Sequence, residues 1–492
     1  MSSPKGLKRR RRFSASQPSA DDSQLEVLEG LRIMEVLGTA RPTKFDGIIQ
    51  FDSPWIDALN WISLLLETDT SMVADIAVAF SVGDGRTTIH LAKANGQPPT
   101  NAESGCLAAF LRTLRLSFKE NNLTLTESIR RRMTDMMSEM TLPEIYRKLS
   151  RIGTVQGGTQ DENWDRFLRV ILPIFQEGHP RGEESSGFCE LAEQIHGLAF
   201  HSGHYSSAVM VETMKSFVLH DQCKPLDKLS VEERRRFTAV VMRLSDFMIH
   251  STFFDAVLDS DGHLRNQLDH EDFMFVIEMC RRVHDIGRYA LGLSSFAEVV
   301  MPYIAGKLGK EGIAQFLNET GGIAVQWVLR PLRSPTQVPR ALYWPTSPSD
   351  KVREVMNQIN FALELEPLHL DRMALRDEVT ALWTEGSPVA PALHSELQLI
   401  RYLDSHNISV VGNVIGMNRP PCWACYSYLR ILYRGEWGQR WSMSYSTGRP
   451  RGPWMIPPGC PVEVVDTILR SMQTRIYEAI EEYGHECYGQ VL

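Results

Sequence analysis

The stretch RPLRSPTQVPRALYWPTSPSD, residues 330–350, places five prolines in 21 positions. Each proline removes a backbone donor and pushes the residue before it out of the helical region. Neither a long helix nor a central strand can run through such a segment, so the chain is expected to divide here, with residues 336–350 as an extended linker. A length of 492 residues points the same way, because one hydrophobic core rarely organises so many.

On the N-terminal side, residues 45–335 repeat apolar side chains at intervals of three and four, as in SPWIDALNWISLLLE, NAESGCLAAFLRTLRLSF, ENWDRFLRVILPIF and VEERRRFTAVVMRLSDFMI. Several of these segments open on Ser, Asn or Asp in a capping position, and strand-like alternation is scarce. A helical region of unassigned role is expected. On the other side, residues 351–492 alternate: a helix from about His394 to Asp404, a buried strand at 408–417, a helix from near Pro421, a short strand in WSMSYS and a long final helix. The fold class expected is α+α/β, a mainly helical N-terminal region followed by a C-terminal α/β sandwich with a mixed sheet flanked by helices.

The first 24 residues run from basic through Ser-rich to acidic and read as a disordered tail. Its Lys8-Arg9-Arg10-Arg11-Arg12 run fits a nuclear-import patch or a solvated charge run. The tail has no apolar core of the kind a secretory signal needs. No stretch reaches 18 uncharged apolar residues, so no membrane partner is expected. Eight cysteines, six of them scattered and only Cys422 and Cys425 closely spaced, are too few for a disulfide scaffold and fit an intracellular protein, nuclear or cytoplasmic. A formal charge of −8 excludes a protein coated with nucleic acid by overall charge, so any such contact needs a local basic patch.

Two short segments beyond the linker carry chemistry. LHSELQLIRYL sets His394 and Glu396 two residues apart, and NRPPCWACYSYLR sets Cys422 and Cys425 three apart behind Pro420 and Pro421. The prolines fit an extended approach and a preset first helical turn. Both thiols then lie one turn apart at a helix N-terminus, which favours the thiolate that binds metal. His394 is a third candidate ligand, and three protein ligands leave a tetrahedral zinc with an open position. Glu396 cannot point the same way as His394 on a helix, but it can reach the space beside the ion.

Together, His394-Ser395-Glu396 and Pro421-Cys422-Trp423-Ala424-Cys425 resemble the H-x-E…P-C-x-x-C zinc signature of the cytidine-deaminase-like superfamily. The flanking HSELQLI, PPCWACYSYL, STGRP and WMIP are similar to a large, mainly fungal branch of nucleic-acid or nucleotide deaminases. That branch carries its deaminase domain after a long helical region. Ser395 stands where alanine is commoner, and Thr447-Gly448 where the branch often has Thr-His-Gly. The resemblance implies Zn2+ as cofactor, held by His394, Cys422 and Cys425. It implies Glu396 as the catalytic proton shuttle, with zinc-bound hydroxide attacking C4 of a cytosine-type or C6 of an adenine-type ring.

The neighbourhood suits a nucleotide or nucleic acid substrate. No lysine follows Lys351, and Arg419, Arg430, Arg434, Arg440, Arg449 and Arg451 face one acid, Glu436, among interleaved tryptophans and tyrosines. Arginine pairs with phosphate and stacks on bases, and aromatic rings offer further stacking faces. Trp423, Thr447 and Arg449 are the candidate substrate contacts, while Tyr426, Tyr428 and Tyr433 fit a core-filling helix face. Four rival readings stay open: unligated core cysteines; a structural zinc of Cys422, Cys425, Cys460 and Cys487; a deaminase-fold scaffold that binds zinc without turnover; and a hydrolase built on the His284-Asp285 doublet, with His201, His204, His263 or His270 as further ligands. HSGHYSS reads as a turn before a helix. SVGDGRTT and QGGTQ are glycine turns without the Lys and Ser/Thr of a phosphate-binding loop.

Overall fold

A computed structural model describes residues 20–36, 53–67, 75–152 (without 84 and 121), 228–249, 270–329, 342–343, 388–433 and 441–489 (without 445, 447 and 449), with isolated positions between. The Lys8–Arg12 run, most of the proline-rich segment, ENWDRFLRVILPIF in large part, QGGTQ and HSGHYSS lie outside the described residues.

The chain falls into two compact units. One joins residues 1–40, 335–392 and 449–492, the other 41–334 and 393–448. In the first, helix α1 (Ala20–Val36) packs against the long C-terminal helix α11 (Val462–Gly489). Gln24 fastens α1 to the segment before α11: its amide donates to the Trp454 carbonyl at 2.8 Å, and its side-chain oxygen accepts from the Ile456 amide at 2.7 Å. A two-stranded antiparallel ribbon, β4 (Leu342–Tyr343) with β5 (Pro388–Val389), belongs to the same unit.

The second unit is built on a four-stranded mixed sheet of order β3-β2-β1-β6. Strands β1 (Ile76–Gly83) and β2 (Arg86–Lys93) form an antiparallel hairpin, from Ile76 opposite Lys93 to Gly83 opposite Arg86. Gly85 turns it at φ +69°, so the SVGDGRTT glycines serve a hairpin turn. Strand β3 (Ile323–Val328) runs parallel to β2, and β6 (Gly416–Met417) pairs antiparallel with β1. Every residue from Ile76 to Phe80 is buried, so this part of β1 shows water neither face, while Ser81 and Val82 are half-buried and Gly83 is exposed.

The helices of this unit are α2 (Pro54–Leu65), α3 (Asn101–Phe118), α4 (Leu125–Met140), α5 (Leu142–Ile152), α6 (Val231–Ile249), α7 (His270–Ser295), α8 (Met301–Leu317), α9 (Ser395–Ser405) and α10 (Trp423–Leu432), with a π-helical turn at Phe296–Val300. Their starts follow the local chemistry. Ser53 caps α2 by accepting from the Ile56 amide ahead of a proline at the first turn. Thr100 with Glu103, and Thr124 with Glu127, form capping boxes at α3 and α4. Trp61, Phe110 and Phe296 meet at the centre of one core shared by α2, α3, α4, α7, α8 and the sheet.

The strands are distributed differently from the expectation. The mixed sheet flanked by helices exists, but β1, β2 and β3 precede the proline-rich stretch and only β6 follows it. The segment carrying the His and Cys motifs, residues 393–448, groups with residues 41–334 in one compact unit, and its strand β6 pairs with β1. The strand expected at 408–417 shortens to Gly416–Met417. Val411–Asn413 instead make a tight turn in which Gly412 and Asn413 adopt left-handed backbone angles of +62° and +55°. WSMSYS contributes only a parallel bridge between Ser442 and Val414 among its described residues.

Candidate metal centre

Helix α9 begins where Leu393 is gripped from both sides by Asn95, just past the end of β2. The Asn95 amide donates to the Leu393 carbonyl at 2.7 Å, and the Leu393 amide donates to Asn95 Oδ1 at 2.8 Å. Asn95 takes up φ +57°, a left-handed conformation that Asn tolerates better than most residues. The end of β2 is itself anchored. Lys93 Nζ, buried, donates to both oxygens of Glu103 at 2.8 and 3.0 Å, and Glu103 is also the capping-box acid of α3.

His394 follows Leu393 as the N-cap of α9, with extended angles of φ −66° and ψ 157°. Standing outside the helix, it escapes the helical spacing that would turn its side chain away from Glu396. Both can therefore face one spot. Cys422 is likewise the N-cap of α10, and its sulfur accepts the Cys425 amide at 3.4 Å, satisfying one of the orphan donors of the first turn.

The two helix starts meet. His394 Nδ1 lies 3.5 Å from Cys422 Sγ and 3.3 Å from Cys425 Sγ, and the three ligand atoms lie within 4.8 Å of one another. A tetrahedral zinc with Zn–S of about 2.3 Å and Zn–N of about 2.0 Å sets nitrogen and sulfur roughly 3.5 Å apart. One imidazole and two thiols is a soft donor set that suits zinc. This is the only metal-capable group among the described residues.

Charge in the site is coupled. Burial alone would raise the Cys422 pKa, but the hydrogen bond from the Cys425 thiol and the His394 charge bring it well below the ordinary thiol value. Burial and the hydrogen bond to Cys422 push Cys425 well up. Burial would lower His394, yet the adjoining Cys422 charge raises it to about 9. Glu396 is 3 % exposed, and burial lifts its carboxyl, with His394 and a hydrogen bond from Cys425 pulling the other way.

Of the candidate substrate contacts, Trp423 is buried in the first turn of α10, and Thr447 and Arg449 lie outside the described residues. Tyr428 is buried and Tyr426 half-buried, and the Tyr433 hydroxyl donates to Asp404 at 2.6 Å, tying α10 to α9. Arg419 is engaged with Glu67 at 3.3 Å and Asp75 at 3.8 Å. Arg434 and Arg440 are outside the described residues, and Arg430 is exposed. His284 and Asp285 sit half-buried on α7 in no metal-capable group among the described residues. Cys460 lies outside the cluster, and the Cys487 side chain is not described.

Asn95, Arg288 and Asn60 also shape the site and carried no motif. Asn60, buried on α2, accepts the Met417 amide at 2.7 Å and donates to Ser444 at 2.8 Å. The one available signal was the KANG turn after a buried apolar run, which marks a strand end but not what it grips.

No helix among the described residues is long and apolar enough to cross a membrane. No curated protein and no solved structure gives a significant match to the chain. A family model described as OTT_1508-like deaminase matches residues 393–458, the segment that holds His394, Glu396, Cys422 and Cys425.

Proposed function

We propose that the protein is a zinc-dependent hydrolytic deaminase acting on a cytosine-type or adenine-type base in a nucleotide or nucleic acid, of the cytidine-deaminase-like superfamily and its mainly fungal branch. The observation that carries the reading is a buried carboxyl, Glu396, beside a buried His-Cys-Cys group, inside the segment that matches a deaminase family.

In this reading His394, Cys422 and Cys425 hold the ion, which when bound supplies Lewis acidity toward water. Glu396 accepts a proton from the attacking water at its carboxylate, passes it to the ring nitrogen, and assists the departure of ammonia. A new C–O bond thus replaces the exocyclic C–N bond. Burial raises the pKa of Glu396 above the ordinary carboxyl value, the direction that favours taking up a proton. A purely structural ion needs no such carboxyl, and burying one costs free energy. Trp423, Thr447 and Arg449 are the proposed contacts to the base or its phosphate.

The test is to purify the full chain, measure bound zinc, and assay ammonia release from nucleosides, nucleotides, single-stranded DNA and RNA. Glu396→Gln is expected to keep about one zinc and lose at least a hundredfold in rate, the usual scale of general acid–base catalysis. Zinc with no turnover on any pool would favour the scaffold reading. Metal that survives Cys422→Ser with Cys425→Ser would remove the centre from this place.

A further inference from the structure

The helical stretch between β2 and β3 lies outside the family match, yet one of its side chains reaches the strand that leads into the cysteine turn. Arg288, on α7, donates through Nη1 to the Asn418 carbonyl at 3.1 Å and through Nη2 to the Met417 carbonyl at 3.0 Å. Its origin is fixed. One turn further on, Gly292 packs so closely on α2 that a Cβ there would stand 2.2 Å from Trp61 Cβ and 2.7 Å from the Asp57 carbonyl oxygen. Between them, Tyr289 is fully buried, and its hydroxyl accepts from Lys148 at 3.4 Å.

Met417 is thereby held from two helices. Its amide goes to Asn60 on α2 and its carbonyl to Arg288 on α7. Asn418 is held twice as well, with its carbonyl on Arg288 and its side-chain oxygen accepting the Ile76 amide at 3.0 Å. From there the chain reaches Cys422 through Arg419, Pro420 and Pro421. Arg419 is in an ion pair with Glu67, and two prolines leave little torsional slack. Fixing residues 417 and 418 therefore fixes where the first thiol stands.

We infer that Arg288 is a positioning residue of the metal centre: the helical region uses its guanidinium fork to set the cysteine turn against His394. A guanidinium is the side chain suited to two carbonyls at once, because its donors diverge in one rigid plane where an ammonium is a point donor. The inference rests on the metal centre proposed above and not on the reaction.

The test compares Arg288→Lys and Arg288→Met with Arg282→Ala in the full chain. Arg282 lies on the same helix, paired with Glu278 at 2.9 Å, and serves as a control for general weakening of α7. The readouts are the zinc dissociation constant, from competition with a chromogenic chelator, and the melting temperature of each metal-free form. Both Arg288 variants are expected to bind zinc about tenfold more weakly, the scale seen when supports behind a ligand are removed. Arg282→Ala is expected to match the parent in zinc affinity. Parent-like affinity in both Arg288 variants overturns the inference. So does an affinity loss that Arg282→Ala reproduces at the same loss of melting temperature. A parent that binds zinc but deaminates nothing removes the proposed reaction and leaves this comparison decisive. A parent that binds no zinc removes both.

Discussion

Asn95 meets two demands at one position. Its backbone turns left-handed at φ +57°, and its side-chain oxygen takes the amide of the residue before His394. Glycine satisfies the first demand and not the second; alanine satisfies neither. Asn95→Gly is expected to destabilise the protein by about 1 kcal/mol, the worth of one partly buried hydrogen bond. Asn95→Ala should cost about 1 kcal/mol more, from the left-handed penalty. Urea unfolding of the three forms checks the order, and an alanine variant as stable as the glycine one contradicts it. None of this was legible in the sequence, because Asn95 and its partner Leu393 stand 298 positions apart (393 − 95) and a hydrogen bond across that gap leaves no periodicity. The grouping of His394, Cys422 and Cys425 was legible because His394 and Cys422 each cap a helix and Cys425 stands in the first turn behind Cys422, and helix starts write their chemistry into adjacent letters.

At the scale of elements the helices were readable and most of the sheet was not. NAESGCLAAFLRTLRLSF and VEERRRFTAVVMRLSDFMI became α3 and α6 end to end, since each carries one apolar face and a capped start. IAVAF gave no alternation because the Ile76–Phe80 part of β1 is covered on both sides, and a run without a wet face has no polar half to alternate with. The short β6 is fixed by shape as much as by pairing. A Cβ on Gly416 would stand 2.2 Å from Leu59 Cβ, 2.3 Å from the Leu59 carbonyl carbon and 2.6 Å from the Asn60 amide nitrogen. Two of those atoms are backbone and cannot swing aside. Gly416→Ala is expected to cost about 3 kcal/mol, at the upper end for overpacking, and to weaken zinc binding by displacing the strand before the cysteines. A variant with parent-like unfolding and metal affinity would show that α2 yields instead.

For the whole molecule, the sheet settles what can stand alone. Three of its four strands lie before residue 330, and β6 takes its backbone partners from Ala77 and Val78. A fragment of residues 351–492, the division the prolines suggest, should not retain stoichiometric zinc or unfold cooperatively. The full chain should do both, as calorimetry and metal analysis would read out. A fragment that folds and binds zinc would mean that the strands before residue 330 are dispensable. The same topology imposes an order on synthesis. Ala77 leaves the ribosome 340 residues ahead of its partner Met417 (417 − 77), an interval of about 20–70 s at roughly 5–20 residues per second. Throughout that wait one hydrogen-bonding edge of the apolar run Ile76–Phe80 stands open to any other chain, so the nascent protein is a natural client for a chaperone that shields such edges.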